Sequence, residues 1–285
     1  MQSKKDLSER DICTKYITPA LEKAGWSNPD TASAYARDFA HAADFCVPVF
    51  TKLMQAGPGR RLLDLCSGHG NVAKGLSRAG AEVIGLDFSP AMIALAKANV
   101  PNAEFLEGDA GNLPFESGRF DGVTMGFGMP HVPEPARVIA EARRVLKPGG
   151  TFAFSVWCGN EVDGAFSWVF DAIAACGAPD IALPEGPGAN DYADPNRAFP
   201  ALIDAGFRDP AITEIDNLWQ SDNPAAPFDY FLEGTVRGGA LLKKQPTANA
   251  EAIRNAVKEK VVQNLGSNGP WTIPIPSVIV SATAA

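Results

Sequence analysis

The sequence predicts an α/β fold in which a parallel sheet is covered by helices on both faces. Between residues 61 and 157, short apolar runs alternate with helical segments, which is the pattern of successive strand–helix–strand units. The expected strands lie near residues 61–66, 82–87, 103–107, 119–126 and 151–157, and the expected helices near 70–79, 89–98 and 133–146. Right-handed crossovers bring the carboxyl ends of such strands to one edge, where a ligand is expected to bind.

The segments that flank this core have the pattern of a mainly helical cap. Residues 1–56 look helical, and Asn28 followed by Pro29 is typical of a helix start. Further expected elements are a helix at 163–177, a loop at 178–195, a strand at about 210–219, helices at 227–243 and 249–265, and a last strand at 271–282. We therefore expect an N-terminal cap segment (1–56), a core (57–221 and 267–285, with 158–195 contributing to the cap) and a helical insertion in the cap (222–266).

Composition and charge are those of a globular enzyme with no broad nucleic-acid surface. The 285 residues are 46% hydrophobic and 20% charged, and the formal net charge is −8. Proteins that bind nucleic acid broadly carry an excess of Lys and Arg, which this chain does not have. We therefore expect no nucleic-acid partner, and the sequence leaves the oligomeric state open.

The five cysteines are scattered and show neither zinc-ligand nor redox-pair spacing. We expect free thiols in a reducing cytoplasm and no metal site. The first residues lack the apolar core of a signal peptide, and no apolar run reaches 18 residues, so no membrane association is expected.

A ligand-binding motif begins at the first strand of the core. Asp64 opens the run Asp-Leu-Cys-Ser-Gly-His-Gly that ends at Gly70, and Asp87 ends the next strand 23 positions after Asp64. A Gly-containing turn lets backbone N–H groups approach a ligand, and an acid at the second strand end can accept both ribose hydroxyls of a nucleoside. A dinucleotide-binding dehydrogenase is the competing interpretation, but the turn lacks Gly-x-Gly-x-x-Gly in register.

Residues from about 60 to 157 resemble a class I S-adenosylmethionine-dependent methyltransferase, of the branch with the ubiquinone/menaquinone-biosynthesis enzymes and many small-molecule methyltransferases. The matching stretches are Asp64–Gly70, Asp87-Phe88-Ser89 with Met92, Glu107-Gly-Asp-Ala110, Phe120-Asp121 through His131-Val-Pro133, and Arg144-Val-Leu-Lys-Pro-Gly-Gly150. The resemblance implies a doubly wound, seven-stranded, mostly parallel Rossmann-like sheet with a helical cap. It also implies S-adenosyl-L-methionine as cofactor and S-adenosyl-L-homocysteine as product.

The resemblance also implies roles for most residues of the expected cofactor site. Asp64 would favour the ammonium group, Asp87 the ribose hydroxyls and Asp109 the adenine amino group, while the Ala110 N–H would meet a ring nitrogen. Phe88 and Met92 would sandwich the adenine. The remaining cofactor-site residues are Cys66, Ser67, Gly68 and Gly70, whose backbone would pack around the methionine part, together with Gly126, Phe127 and Tyr35.

Two residues depart from the family's loop. Cys66 replaces the first loop glycine, and we expect its φ angle to be negative because a side chain disfavours the left-handed region. His69 stands where the family usually has Thr or Ser, and it is either near the cofactor carboxylate or an exposed loop residue.

His131 is the best candidate for a general base, because the loop after the fourth strand borders the site of methyl transfer. Alternatively, His131 caps the following helix or packs structurally. His41 is a weaker candidate for the base. Tyr35 and Tyr230 are expected either to close over the cofactor or orient an acceptor, or to be core aromatics. The stretch Gly126-Phe-Gly-Met-Pro-His131 lacks the Asn/Asp-Pro-Pro-Tyr of amide and nucleobase N-methyltransferases.

The methyl acceptor is expected to be an apolar or aromatic small molecule, methylated at carbon, oxygen or nitrogen. Aromatic residues are frequent in the segments expected to build the acceptor pocket: Phe166, Trp168, Phe170, Trp219, Phe228, Tyr230 and Phe231. A packed cap explains the same residues. A methyltransferase of protein or RNA, and a member of the fold that binds the cofactor without methylating, are the alternative functions.

Overall fold

A seven-stranded sheet forms the centre of the molecule. The structure is a computed structural model that describes residues 28–38, 43–158, 162–181 and 190–285. The strands of the main sheet are β1 (Arg61–Leu65), β2 (Glu82–Asp87), β3 (Glu104–Glu107), β4 (Phe120–Gly126), β5 (Leu146–Trp157), β6 (Phe207–Ile215) and β9 (Ser277–Ala284). A separate two-stranded sheet is formed by β7 (Leu218–Ser221) and β8 (Trp271–Pro274).

The strand order of the main sheet is β3-β2-β1-β4-β5-β9-β6, and only β9 runs antiparallel to its neighbours. The order reverses between β1 and β4, which pair in parallel next to each other. Their carboxyl ends therefore diverge into separate loops, and open α/β sheets bind ligands in the crevice between such loops. The predicted doubly wound, mostly parallel sheet is confirmed.

Helices cover both faces of the sheet and build the cap. Their bounds are α1 (Pro29–Asp38), α2 (Val47–Leu53), α3 (Asn71–Arg78), α4 (Pro90–Asn99), α5 (Pro135–Val145), α6 (Ala165–Cys176), α7 (Pro195–Asp204), α8 (Ala226–Gly234), α9 (Val236–Lys243) and α10 (Thr247–Leu265). No helix in the described part of the chain has the length and apolar character needed to cross a membrane.

Local sequence explains where the helices beside the predicted site begin. The Asn28 carboxamide oxygen accepts a hydrogen bond from the Asp30 N–H at 2.8 Å, so the predicted start of α1 is confirmed. The Ser89 hydroxyl accepts from the Met92 N–H at 3.2 Å, and Pro90 follows it in the first turn of α4. The Ser89 cap therefore fixes the direction of the chain immediately after β2 ends.

Two apolar cores lie on opposite faces of the sheet. One contains Phe50, Val72, Trp157 and the cap helices, including the buried stripe of α10. The other contains Leu63, Ile84 and the buried faces of α5 and α7. Successive strand residues point to opposite faces, so strands buried on both sides contribute to both cores.

Three elements expected to be continuous are divided in the structure. The strand expected at 210–219 is β6 and β7, because the Asn217 backbone between them instead pairs with Ile275. The last strand is likewise divided into β8 and β9. The helix expected at 227–243 is α8 and α9, because Thr235 has extended backbone angles and its hydroxyl caps α9 by accepting from the Gly239 N–H.

Candidate functional site

Two adjoining cavities lie at the carboxyl ends of the central strands. The smaller, of about 420 Å³, is lined by Ala43, Cys46, Phe50, Asp64, Cys66, Ser67, Gly68, His69, Asn71, Val72, Gly126 and Phe127. The larger, of about 520 Å³, is lined by Cys66, Gly68, Asp87, Phe88, Met92, Gly126, Phe127, Gly128, His131 and Val132. Four residues line both cavities, and we call them the junction: Cys66, Gly68, Gly126 and Phe127.

The loop after β1 curves through left-handed backbone at three positions. Gly68 and Gly70 have φ angles of 52° and 91°, and Cys66 has a φ angle of 49°. The expectation of a negative φ at Cys66 is therefore wrong. A Cβ placed on Gly68 would have no heavy atom within 4 Å, so this glycine leaves open space beside the backbone. The loop is thus shaped to bring backbone groups close to a ligand.

Asp87 anchors the loops after both β1 and β2. One carboxylate oxygen accepts from the Gly68 N–H at 2.9 Å and the other from the Ser89 N–H at 2.9 Å. The side chain is buried, and burial raises the pKa of the Asp87 carboxyl although these hydrogen bonds oppose the rise. Each carboxylate oxygen has a further lone pair, so the group can still accept from a ligand.

Asp64 lines the smaller cavity and is 1% exposed. Its carboxylate accepts from the Thr124 hydroxyl at 2.9 Å and from the Ala73 N–H at 3.1 Å. Burial raises the pKa of Asp64 to about 7, because these two hydrogen bonds offset only part of the loss of hydration. A cationic group in this cavity would therefore strongly favour the ionised carboxylate.

Phe88 and Met92 line the larger cavity together with Asp87. Phe88 is 36% exposed, whereas Met92 is 3% exposed and packs against Ala32 of α1. A ring beside a buried thioether makes an apolar wall for a flat ligand next to a carboxylate.

Asp109 and Ala110 follow β3 but line neither cavity. The Asp109 carboxylate accepts from the Gly111 N–H at 2.8 Å, which closes the local turn. The turn lies beside the end of β2, because the Gly108 N–H donates to the Asp87 carbonyl. Asp109 and Ala110 thus lie near the larger cavity, and the Asp109 carboxylate is bonded within its own turn.

The loop after β4 packs tightly on the loop after β1. A Cβ at Gly128 would lie 2.7 Å from the Cys66 Cβ and 2.6 Å from the Met125 Cε, so only glycine fits there. Phe127, the residue before it, has a φ angle of 53°. This close contact fixes the junction between the two cavities.

Comparison with known proteins agrees with this geometry. The family model described as a methyltransferase domain matches residues 63–154. These residues therefore match a methyltransferase domain. The matched segment runs from β1 to β5 and includes Asp64, Asp87 and every residue of the junction.

The curated relatives match mainly through this methyltransferase domain. The demethylmenaquinone methyltransferase of Renibacterium salmoninarum is 38% identical over 127 residues, which are 45% of this chain and 53% of the relative. An uncharacterized methyltransferase of Synechocystis sp. is 46% identical over 99 residues, which are 34% and 46% of the two chains. The chain thus spans about half the length of the curated relatives it matches.

Solved structures share the fold at low sequence identity. A phosphoethanolamine N-methyltransferase of Haemonchus contortus has a TM-score of 0.54 at 18% identity and covers 98% of this chain and 61% of its own. The cyclase SpnF has a TM-score of 0.53 at 18% identity and covers 97% and 96%. These structures therefore share the overall fold of the described residues.

The two histidines of the methyltransferase domain lie at different cavities. His131 is half-buried and lines the larger cavity, in a short 3₁₀ turn (Met129–His131). Its predicted alternative role as a helix cap is wrong, because Glu134 is the residue that precedes α5. His69 is half-buried and lines the smaller cavity, so it is not an exposed loop residue.

The aromatic residues expected around an acceptor mostly pack against one another. Phe166, Trp168, Phe228, Tyr230 and Phe231 are buried in the core beneath the cap, and none of them lines either cavity. These rings therefore follow the alternative interpretation, in which they pack a cap instead of lining an acceptor pocket. His41 lies outside the described residues, and Tyr35 lies in α1 with a side chain outside the described part.

Several residues that line the two cavities are absent from the site predicted from the sequence. Cys46 and Phe50 come from the segment before the core, and Asn71 and Val72 begin α3. The signal for Asn71 and Val72 was their place directly after the glycine loop. Cys46 and Phe50 carry no comparable signal, because their position depends on how α2 packs on the sheet.

Proposed function

We propose that this protein binds S-adenosyl-L-methionine across the two cavities and transfers its methyl group to a small organic acceptor. The observation that carries the proposal is the placement of one buried acid in each cavity, Asp64 in the smaller and Asp87 in the larger, on either side of the junction. A ligand with a cationic amino-acid end and a ribose end matches this distribution.

The residues fit the two halves of the cofactor. The larger cavity offers Asp87 to the ribose hydroxyls and an apolar wall of Phe88 and Met92 to the adenine. The smaller cavity offers the Asp64 carboxylate to an ammonium group, and Gly68 leaves room for close backbone approach. Asp109 and Ala110 are assigned to the adenine edge on the family resemblance, and their turn lies next to Asp87.

The protein's part in the reaction is alignment and exclusion of water. When bound, the cofactor supplies a methyl group that its sulfonium already activates. Asp64 and Asp87 hold the two ends of the ligand, and their burial strengthens the interaction by removing competing water. The junction loops fix the position of the reacting centre, and such positioning alone can account for much of the rate.

His131 is the proposed general base for an acceptor that must lose a proton. It lines the larger cavity beside Gly128 and Val132, next to the junction. An imidazole within hydrogen-bond reach of the acceptor could take a proton from a phenol or an acidic carbon. For an acceptor without such a proton, alignment and desolvation would be the sources of the rate enhancement.

The proposed acceptor is an apolar or aromatic small molecule. Support comes from the apolar lining around the junction and from the names of relatives that act on demethylmenaquinone. The relatives share mainly the cofactor half, so quinols are the first compounds to test rather than the assigned substrate.

We also propose a reducing cytoplasmic setting without a nucleic-acid partner. This is supported by the net charge of −8 and by the free thiols of Cys46, Cys66, Cys158 and Cys176.

The experiment is calorimetry with the cofactor, followed by a screen for label transfer from methyl-labelled S-adenosylmethionine to quinols, phenols and small amines. Saturable cofactor binding and label in an extracted small product are expected. Failure to bind either S-adenosylmethionine or S-adenosylhomocysteine would contradict the proposal. Binding with chemical conversion of an acceptor but without label transfer would instead favour a non-methylating enzyme, and the fold of the cyclase SpnF makes this the second candidate.

A further inference from the structure

The loop between β3 and β4 is held by two side chains from α5. All of its residues, 108–119, lie outside the helices and strands of the described chain, so its backbone lacks the regular hydrogen bonds of a helix or sheet. Backbone N–H and C=O groups that are buried in such a loop need other partners. Glu141 and Arg144 supply these partners, and their spacing of three residues places them on one face of α5.

Glu141 and Arg144 bind the loop and each other, and we call this ion pair the clamp. The Glu141 carboxylate accepts from the Leu113 N–H at 2.7 Å. The Arg144 guanidinium donates to the Phe115 carbonyl at 2.7 Å and to the Leu113 carbonyl at 3.1 Å. The same guanidinium donates to both Glu141 carboxylate oxygens, at 2.7 and 2.8 Å. The Arg144 hydrogen bonds lower the pKa of the Glu141 carboxyl, so the clamp is ionised at neutral pH.

The turn at Asp109 and Ala110 lies between the clamp and a second fixed point. On its other side, the Gly108 N–H donates to the Asp87 carbonyl at 2.9 Å, which ties the start of the loop to the end of β2. Leu113, which the clamp holds, is buried, whereas Asp109 is exposed. The turn is thus fixed on both sides, and its carboxylate remains accessible to a ligand.

We infer that the clamp positions the Asp109 turn and thereby makes the site select adenine over a purine that has no amino group. The inference rests on the proposed function, which assigns the adenine amino group to Asp109. A carboxylate attracts an amino donor and repels a carbonyl oxygen, and both effects weaken steeply as the geometry departs from that of a hydrogen bond. Glu141 and Arg144 line neither cavity, so they act as positioning residues through the turn.

The clamp also stabilises the loop, so the test must separate base selection from stability. Arg144→Met keeps an apolar stem and removes the guanidinium that holds the loop. Arg143 offers a matched control, because it is the preceding residue of α5 and also ties the helix to distant backbone. Its guanidinium donates to the Gly206 carbonyl at 2.9 Å and to the Ala285 carbonyl, both outside the loop. Arg143→Met therefore removes a similar group without touching the Asp109 turn.

The experiment measures by calorimetry the affinities of S-adenosyl-L-homocysteine and S-inosyl-L-homocysteine, in which a carbonyl oxygen replaces the adenine amino group. The wild type should bind the adenine compound about tenfold or more tightly than the inosine compound, as expected for a hydrogen bond to a charged group. In Arg144→Met this preference should fall by about threefold or more, mainly because the adenine compound binds more weakly. In Arg143→Met the wild-type preference should be kept, whatever the change in unfolding temperature.

A wild-type preference in folded Arg144→Met would overturn the inference, because a purely structural tether affects the two ligands equally. Equal binding of both ligands by the wild type would also overturn it, since the turn would then not distinguish the bases, while cofactor binding would stand. If Arg144→Met does not fold, Arg144→Lys and Glu141→Gln replace it, and an unchanged preference in both overturns the inference. A wild type that binds neither ligand would instead contradict the proposed function itself.

Discussion

At the scale of single residues, the site uses strained backbone and buried acids. Four non-glycine residues of the described chain have positive φ angles, and two of them, Cys66 and Phe127, stand at the junction. The carboxyl groups of Asp64 and Asp87, which line the two adjoining cavities, have raised pKa values. Strained backbone and carboxylates with shifted pKa values cluster at functional sites. They cost stability, and they are kept because they contribute to ligand binding.

Asp87→Ala should weaken cofactor binding by one to several decades. The change removes a charge-assisted pair of hydrogen bonds to the ribose, a loss of roughly 2–4 kcal/mol. It also removes the anchor for the Gly68 and Ser89 N–H groups, so the loops would lose part of their shape. Calorimetry on the folded variant measures the effect, with Glu104→Ala as control because Glu104 is exposed and lines neither cavity. Unchanged affinity in Asp87→Ala would contradict the ribose assignment.

His131→Ala should lower turnover by about 10²–10⁴-fold if the imidazole removes an acceptor proton. Cofactor affinity should stay nearly constant, because Asp64 and Asp87 hold the cofactor. The rate profile should also lose a limb in the pH range where imidazoles titrate. Steady-state kinetics on the identified acceptor test this, and wild-type turnover in a stable variant would leave His131 as a packing residue.

At the scale of elements, caps connect helix stability to the ligand site. The Ser89 hydroxyl caps α4 by accepting from the Met92 N–H, and Ser89 directly follows the Asp87-Phe88 pair. The Asp194 carboxylate caps α7 in the same way by accepting from the Asn196 N–H, and Asp194 lines neither cavity. The two caps therefore form a matched pair, one at the site and one remote from it.

Ser89→Ala and Asp194→Ala should each reduce the free energy of unfolding by about 1 kcal/mol, the usual value of an N-cap. Only Ser89→Ala should also weaken cofactor binding, because the lost hydroxyl cap holds the start of α4, which directly follows Asp87 and Phe88. Denaturant unfolding and calorimetry on both variants measure the two quantities. Equal cofactor affinity in the two variants would show that the cap does not position the site.

At the scale of the whole molecule, the buried acids make stability depend on pH. The pKa of Asp64 rises from 3.8 to about 7 on folding, so the folded state binds more protons than the unfolded state between these values. Stability is therefore highest at the acidic end of this window and falls as the pH rises toward 7. Asp87 contributes in the same direction because its pKa is also raised.

Asp64→Asn should remove much of this dependence. The asparagine cannot ionise, and its carboxamide can keep hydrogen bonds to Ala73 and Thr124. As the pH rises from about 4 to 7, the wild type should therefore lose up to roughly 4 kcal/mol of unfolding free energy relative to the variant. Denaturant unfolding without cofactor at several pH values gives this difference. A difference independent of pH would mean that Asp64 is not buried as an ionisable group.

The sequence by itself determined the repeating strand–helix core and pointed to many of the residues that line the two cavities. Local patterns carry this information: a strand followed by a glycine loop, and an acid at the end of the next strand. These features placed Asp64, Gly68 and Asp87 beside one cleft, as the structure has them. Breaks inside β6–β7 and α8–α9 were missed, because Asn217 and Thr235 redirect the backbone through contacts that periodicity does not encode.

Only the tertiary structure decided which residues meet at the junction and which pack away from it. Cys66 has a left-handed backbone and lies in close contact with Gly128 on another loop, and local propensity predicts neither feature. The aromatic residues of the cap stack into a core instead of lining a pocket. Phe127 gains its position from Ser155 and Trp157 on β5. Burial and contact depend on how elements distant in sequence pack together, and that information exists only in the folded chain.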